Sequence, residues 1–335
     1  MVAVTDALLE HARAGDDRAF GELVAPYRAE LHVHCYRMLG TVSDAEDLVQ
    51  ETLLAAWRGL TGFEGRTSMR SWLYRIATNR CLNMLRDTGR RVPPPAVAPF
   101  DPPAPTRHGE VTWLQPYPDT LLDQVPDAAP GPEARFDQRE ASELAFVTAL
   151  QLLPPRQAAA LILCDVLGYR LAETAELLDT TPAAVKGMLQ RARSSIDRGE
   201  VEKAAARPTD RSAVHRFATA FANRDIDALL SLLTDDAWLA MPPAPHEYHG
   251  RPAIAAFLQV SGAWRGARRL VLVPIGANNQ PAFGCYLAEP DTTVATPAGI
   301  MVLTPHADRI RAMTRFFLPA GLLPHFGLPE TWVLD

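Results

Sequence analysis

The chain has 335 residues, 47% of them hydrophobic, and a formal net charge of −6. That length allows two or three domains, each able to bury its own core, and the acidic balance excludes a protein coated in positive charge. No apolar run reaches the ~18 residues of a membrane span and no basic-then-apolar export signal opens the chain; the four cysteines, Cys35, Cys81, Cys164 and Cys285, lack CxxC spacing, so a cytoplasmic protein with reduced thiols, no metal site, no cofactor and no membrane partner is expected.

The first 40 residues carry apolar positions at helical spacing and end on Gly40, a C-cap residue. His32, His34 and Cys35 tempt a metal reading, but their spacing scatters them around a helix and no second ligand cluster follows. Ser43-Asp44-Ala45-Glu46 reads as a capping box opening the next helix. Its inward stripe is Ala45, Leu48, Val49, Thr52 and Ala56. Asp44, Asp47, Gln50, Glu51 and Leu54 point outward, as a solvated face or as a docking face for a basic partner.

Residues 57–91 hold eight arginines against Glu64 and Asp87. Within this island Trp72, Leu73, Ile76, Ala77 and Leu85 are expected to pack. Arg70, Arg75, Thr78, Asn79 and Arg86 are expected to face outward among exposed aromatics. Cations interleaved with aromatics suit a single nucleic-acid strand, whose bases stack or flip while phosphates pair with arginine. A core helix with a basic rim is the plainer alternative.

Residues 92–132 contain 12 of the 29 prolines and read as an acidic, extended linker. Its aromatic island, Trp113 and Tyr117, either folds back on a domain or meets a partner. A helix over 140–153 and another closing at Gly168 support the stretch 171–193, which reads as two short helices joined by a tight turn. Leu171, Ala175 and Leu178 give the first an apolar face; Val185, Leu189, Ala192 and Ile196 give the second. Thr181 is the N-cap candidate, with Pro182 at the first helical position. The opposite face carries Ala183, Lys186, Gln190 and Arg193, with Arg191 beside them, and suits the DNA major groove. An ordinary pair of helices with a solvated face is the alternative.

Two blocks carry a family resemblance. DAEDLVQE, the W-R that follows and WLYRIATNRCLN resemble region two of the extracytoplasmic-function (ECF) sigma factors of bacterial RNA polymerase. LLPPRQAAALILCDVLGYRLAETAELLDTTPAAVKGMLQRAR resembles their region four. The resemblance implies that Asp47, Gln50, Glu51 and Leu54 dock on core polymerase. It implies that the loop at 63–67, with Arg66, and the helix face with Arg70, Arg75, Asn79 and Arg86 read the melted −10 strand. Lys186, Gln190, Arg191 and Arg193 would enter the −35 duplex, and the linker would thread through the polymerase.

After Arg198 the pattern changes to helix, short helix and strand, then a helix near Pro252, then further strands separated by turn signals, an α+β plan. FATAFANRDIDALLSLLTDDAWLAMPP and YHGRPAIAAFL resemble the SnoaL-like domains of the nuclear transport factor 2 superfamily, cone-shaped sheets with an open pocket, known as C-terminal extensions of some ECF sigma factors. The expected fold is therefore multidomain: two all-α sigma domains, then an α+β cone. The expected boundaries are 1–91 for region two, 92–135 for the linker, 136–200 for region four, 209–320 for the cone and 321–335 for a tail. Trp238, Met241, Tyr248, Trp264, Tyr286 and Phe316 are the candidate pocket residues for a small ligand. Asp235, Asp236, His246, Tyr248, His249 and His306 are the acid–base candidates; nothing joins them into a dyad, so no catalytic residue is assigned and the chain is expected not to be an enzyme. The implied function is a promoter-specificity subunit of RNA polymerase, modulated by its C-terminal domain. The alternatives are a helix-turn-helix regulator acting without polymerase, or DNA-binding modules fused to an isomerase-like enzyme.

Overall fold

A computed structural model describes residues 2–87, 100–111, 113–125, 134–198, 211–317 and 320–334. The chain divides into two compact units. The first comprises residues 1–90, 121–142 and 149–199, the second residues 91–120, 143–148 and 200–335.

The first unit is helical. Its N-terminal part comprises α1 (Val2–Arg13), α2 (Asp17–Val24), α3 (Arg28–Leu39), α4 (Val42–Gly59) and α5 (Met69–Asp87). Gly40 closes α3 with φ 77°, the left-handed turn that suits glycine. The cap of α4 differs from the expected box. Thr41 takes the N-cap role, its Oγ1 accepting the Asp44 N–H at 3.2 Å, so the helix opens two residues earlier than Ser43 suggested. The expected inward stripe of α4 is buried throughout.

A short α6 (Asp119–Leu122) and α7 (Leu144–Gln151), each divided between the two units, precede α8 (Pro155–Leu161), a π-helical turn at Ile162–Val166, α9 (Leu171–Leu177) and α10 (Pro182–Arg198). Gly168 ends the supporting segment with φ 73°. Thr181 caps α10 through Oγ1 and the Ala184 N–H at 3.2 Å, as its position before Pro182 predicts. Val185, Leu189, Ala192 and Ile196 are all buried. On α9 the inward set is Thr174, Ala175 and Leu177, while Leu171 is only half-buried.

The second unit contains α11 (Arg211–Asn223), α12 (Ile226–Leu232), β2 (Leu233–Met241), β3 (Ala244–His249), α13 (Arg251–Arg265), β4 (Arg269–Ala277), β5 (Gln280–Ala288), β6 (Val294–His306) and β7 (Arg309–Phe316). A two-residue β1 (Arg107–His108) joins the edge of the sheet, giving the order β1-β3-β2-β7-β6-β5-β4. Only β2 and β7 run parallel among the neighbours in this order. Asn278 and Asn279, both with positive φ, make the two-residue turn that matches hairpin twist between β4 and β5. The sheet and the three helices enclose one apolar core that includes Phe217, Tyr248, Ile254, Met301 and Met313.

Two segments depart from the expected boundaries. The expected tail is part of this unit: Leu322, Leu323, Phe326 and Leu328 are buried, and β8 (Trp332–Val333) pairs with β6. The described part of the expected linker up to Thr120 is also built in. β1 comes from it, the Thr106 N–H donates to the Glu247 carbonyl at 2.9 Å, and the Tyr248 hydroxyl donates to the Pro103 carbonyl at 2.8 Å. Tyr117, fully buried, exchanges two hydrogen bonds with Asn278, its N–H to Oδ1 and its carbonyl from the Asn278 N–H, each at 2.8 Å. Of this linker, residues 92–99, 112 and 126–133 lie outside the described set, as do Arg90 and Arg91 of the basic island.

Candidate nucleic-acid interface

On α4 the helical period separates two faces cleanly. Asp47, Gln50, Glu51 and Leu54 are exposed, and Leu54 retains 49% of its surface, an apolar side chain left in water on an acidic face. Glu51 meets Arg80 of α5 at 2.8 Å.

The arginines of the first island fall into two groups. Arg66, Arg75 and Arg86 are exposed. Arg66 pairs with Glu64 at 3.0 Å, Arg86 with Asp87 at 2.9 Å and Arg75 with Asp179 at 2.8 Å. Such exposed pairs are weak enough for a phosphate to displace. Asn79 is half-buried. Arg70 corrects the expectation of an outward cation. Its Nε and Nη2 hold the Glu30 carboxylate at 2.8 Å each, its guanidinium lies 4.9 Å from the Tyr74 ring centre, and Nη1 donates to the Tyr169 hydroxyl at 3.4 Å. A two-point pair packed on an aromatic face is a structural brace.

Thr78 is corrected too. It is fully buried, its hydroxyl 2.9 Å from His34 Nε2. Burial, then the charges of Arg37 and Arg70, lower the His34 pKa to about 3, so the imidazole is neutral at pH 7. The aromatics expected to be exposed are not. Phe63 is buried against Trp72, and Tyr74 is fully buried beside His34.

On α10, Lys186, Gln190 and Arg191 are exposed on one side of the helix. Arg193 is not a free cation. Its Nε and Nη2 hold Asp165 at 2.8 and 2.6 Å, and Asp165 has no exposed surface. The Asp165 carbonyl also accepts the N–H groups of Arg135 and Phe136, at 2.7 and 3.0 Å. One functional-looking residue escaped the sequence reading: Arg37, 1% exposed, donates to the Gln138 and Ala141 carbonyls and to Ser142 Oγ at 2.6–3.1 Å. An arginine inside a weakly amphipathic helix carries no local signal of such remote acceptors.

In the second unit a cavity of about 280 Å³ lies within the cone. Of the six expected pocket residues only Trp264 lines it. Met241, Tyr248, Tyr286 and Phe316 are core side chains, with the Tyr286 hydroxyl donating to the Pro329 carbonyl at 2.7 Å; Trp238 stacks on His249 instead. The actual wall includes Phe100, Leu239, Phe257, Met301, Arg265 and Arg315. None of the acid–base candidates lines it. Asp235 and Asp236 are exposed and paired with Arg251 and Arg311. Among the described residues no cluster of three or more His, Cys, Asp or Glu forms a metal-binding group, and no helix is long and apolar enough to cross a membrane.

Two helical modules, one with an acidic exposed face carrying Leu54 and one a helix-turn-helix, precede a cone-shaped α+β domain. Residues 23–91 match Sigma-70 region 2, residues 143–196 match Sigma-70 region 4, and residues 214–318 match the SnoaL-like domain. The chain is 41% identical to the ECF RNA polymerase sigma factor SigG of Mycobacterium tuberculosis H37Rv, over 95% of this chain and 85% of that protein. It is 32% identical to SigM of the same strain over 55% of this chain and 79% of that one. The crystal structure of the Mycobacterium tuberculosis ECF sigma factor SigJ shares the fold, with a TM-score of 0.59 and 24% identity, covering 92% of this chain and 99% of that one. The chain belongs to the ECF sigma factors of bacterial RNA polymerase and directs the polymerase to promoters for transcription initiation; its close relatives are sigma factors, not enzymes.

Proposed function

We propose a division of labour among the exposed residues. Asp47, Gln50, Glu51 and Leu54 dock on core polymerase. Arg66, Arg75, Asn79 and Arg86 hold and read the melted −10 strand. Lys186, Gln190 and Arg191 enter the −35 duplex. The protein works in the cytoplasm, where its polymerase is. The carrying observation is the segregation on α4, where every expected inward residue is buried and every expected docking residue is exposed. Leu54→Asp tests it. Core polymerase binding, measured by size-exclusion co-elution, is lost at an unchanged melting temperature. Retained binding would overturn the assignment.

The C-terminal domain acts as an in-chain regulator that takes a small ligand in its cone. Supporting this is its hydrogen-bonded hold on residues 103–119 of the segment that joins the two sigma regions. General acid–base catalysis would need a carboxylate or an imidazole in the cavity, and the described wall residues supply neither.

A further inference from the structure

Among the described residues the cavity wall is apolar except for Ser261 and three arginines, and no Asp, Glu or His joins it. Two of the three arginines cap helix ends reciprocally. Arg265, near the end of α13, donates to the Phe221 and Ala222 carbonyls of α11 at 3.3 and 2.9 Å. Arg224, just past α11, donates to the Gly262 and Gly266 carbonyls at the end of α13, at 3.3 and 2.7 Å. Arg315, on β7, donates to the Ala298 carbonyl at 3.2 Å and lies 5.5 Å from the Phe317 ring centre.

Capping does not satisfy these groups. The Nε–H of Arg265 and that of Arg315 are buried with no acceptor among the described residues. Unmade hydrogen bonds of this kind are costly, more so on a charged group. Burial, followed by the charges of Arg224 and Arg315, pulls the Arg265 pKa down to about 10. Arg265 therefore stays cationic at neutral pH, and the described residues of the wall supply no counter-charge for the three guanidinium groups.

We propose that the cone binds a small amphipathic carboxylate, its apolar body against Leu239, Phe257, Met301 and Phe100 and its carboxylate against Arg265 and Arg315. This rests on the reading that the domain takes a small ligand, and adds the ligand's chemistry. A carboxylate matches the planar fork of a guanidinium. A phosphate dianion would have to shed more hydration to enter apolar walls. A cavity of about 150 Å³ holds benzene, so this one suits a substituted aromatic ring or a short branched chain. Phe100, which comes from the segment between the two sigma regions, is part of the same wall, so the ligand touches the strap that the domain holds.

The test is calorimetric titration of the full chain with para-tert-butylbenzoate and with its neutral counterpart, para-tert-butylbenzyl alcohol. The acid is expected to bind at least about tenfold more tightly than the alcohol. Arg315→Met and, separately, Arg265→Met should remove that preference while leaving alcohol binding in place. Equal affinity of the natural chain for both probes overturns carboxylate recognition and leaves the small-ligand reading standing. Binding of neither probe overturns both. A preference that survives both substitutions overturns the assignment to these arginines. The comparison within the natural chain holds even if a variant fails to fold.

Discussion

Arg193, on the helix expected to enter DNA, closes a two-point ion pair on Asp165, whose carboxylate has no exposed surface. The pair ties α10 to the segment beneath it, and so orients the exposed face with Lys186, Gln190 and Arg191. Removing one partner of such a pair leaves a buried charge without compensation.

Arg193→Ala is therefore expected to destabilise the protein by on the order of 3 kcal/mol, read as a lower denaturation midpoint. Arg191→Ala should leave that midpoint unchanged and weaken promoter binding by the holoenzyme, with a shallower salt dependence. If Arg193→Ala were as stable as the natural chain, the brace would be wrong.

Asn79→Ala should reduce discrimination at one −10 base, whereas Arg75→Ala should weaken all −10 variants alike. Holoenzyme binding to a panel of single-base −10 variants separates the two. A uniform loss for Asn79→Ala would remove its reading role.

His34 makes stability depend on pH. Its folded pKa of about 3 lies below the ordinary 6.5, so the unfolded chain binds the extra proton between these values. The associated stability is complete above pH 6.5 and is lost as pH falls toward 3, with a limiting slope of about 1.4 kcal/mol per pH unit. Urea unfolding at pH 7, 6 and 5 should show a shallower decline in His34→Gln than in the natural chain. Parallel declines would contradict a buried neutral imidazole.

Asn278→Gly keeps a residue that tolerates φ 57° but removes the Oδ1 that accepts the Tyr117 N–H. Amide exchange at Tyr117 should accelerate by roughly fivefold or more, for a lost hydrogen bond worth about 1 kcal/mol or more. Run-off transcription by the reconstituted holoenzyme should change with it. Faster exchange at unaltered transcription would separate the strap from regulation.

Some features were legible in the residues alone because they are local. The helical period divided α4 into its two faces, and Thr181 before Pro182 announced the start of α10. The cap of α4 is not a local feature: Thr41 and Ser43 offer the same hydroxyl, and only the chain's path after Gly40 chooses between them. Arg70 and Arg193 stood at the right helical angle for DNA. Their carboxylates, Glu30 and Asp165, lie 40 and 28 residues away, a separation that no short-range pattern reports.

The cone shows the same limit. Alternation marks which strand residues turn inward, yet in a curved sheet inward side chains either fill the core or border the space left over. Tyr248, Tyr286 and Phe316 fill it; Arg265 and Arg315 border it. The sequence by itself determined the family, the order of the modules and the two faces of α4, because motifs and periodicity are carried by neighbours along the chain. Only the tertiary structure decided which cations are free, where the strap between the sigma regions is held and what lines the cavity. Each of those depends on which distant group arrives to satisfy a charge, a hydrogen bond or an apolar surface.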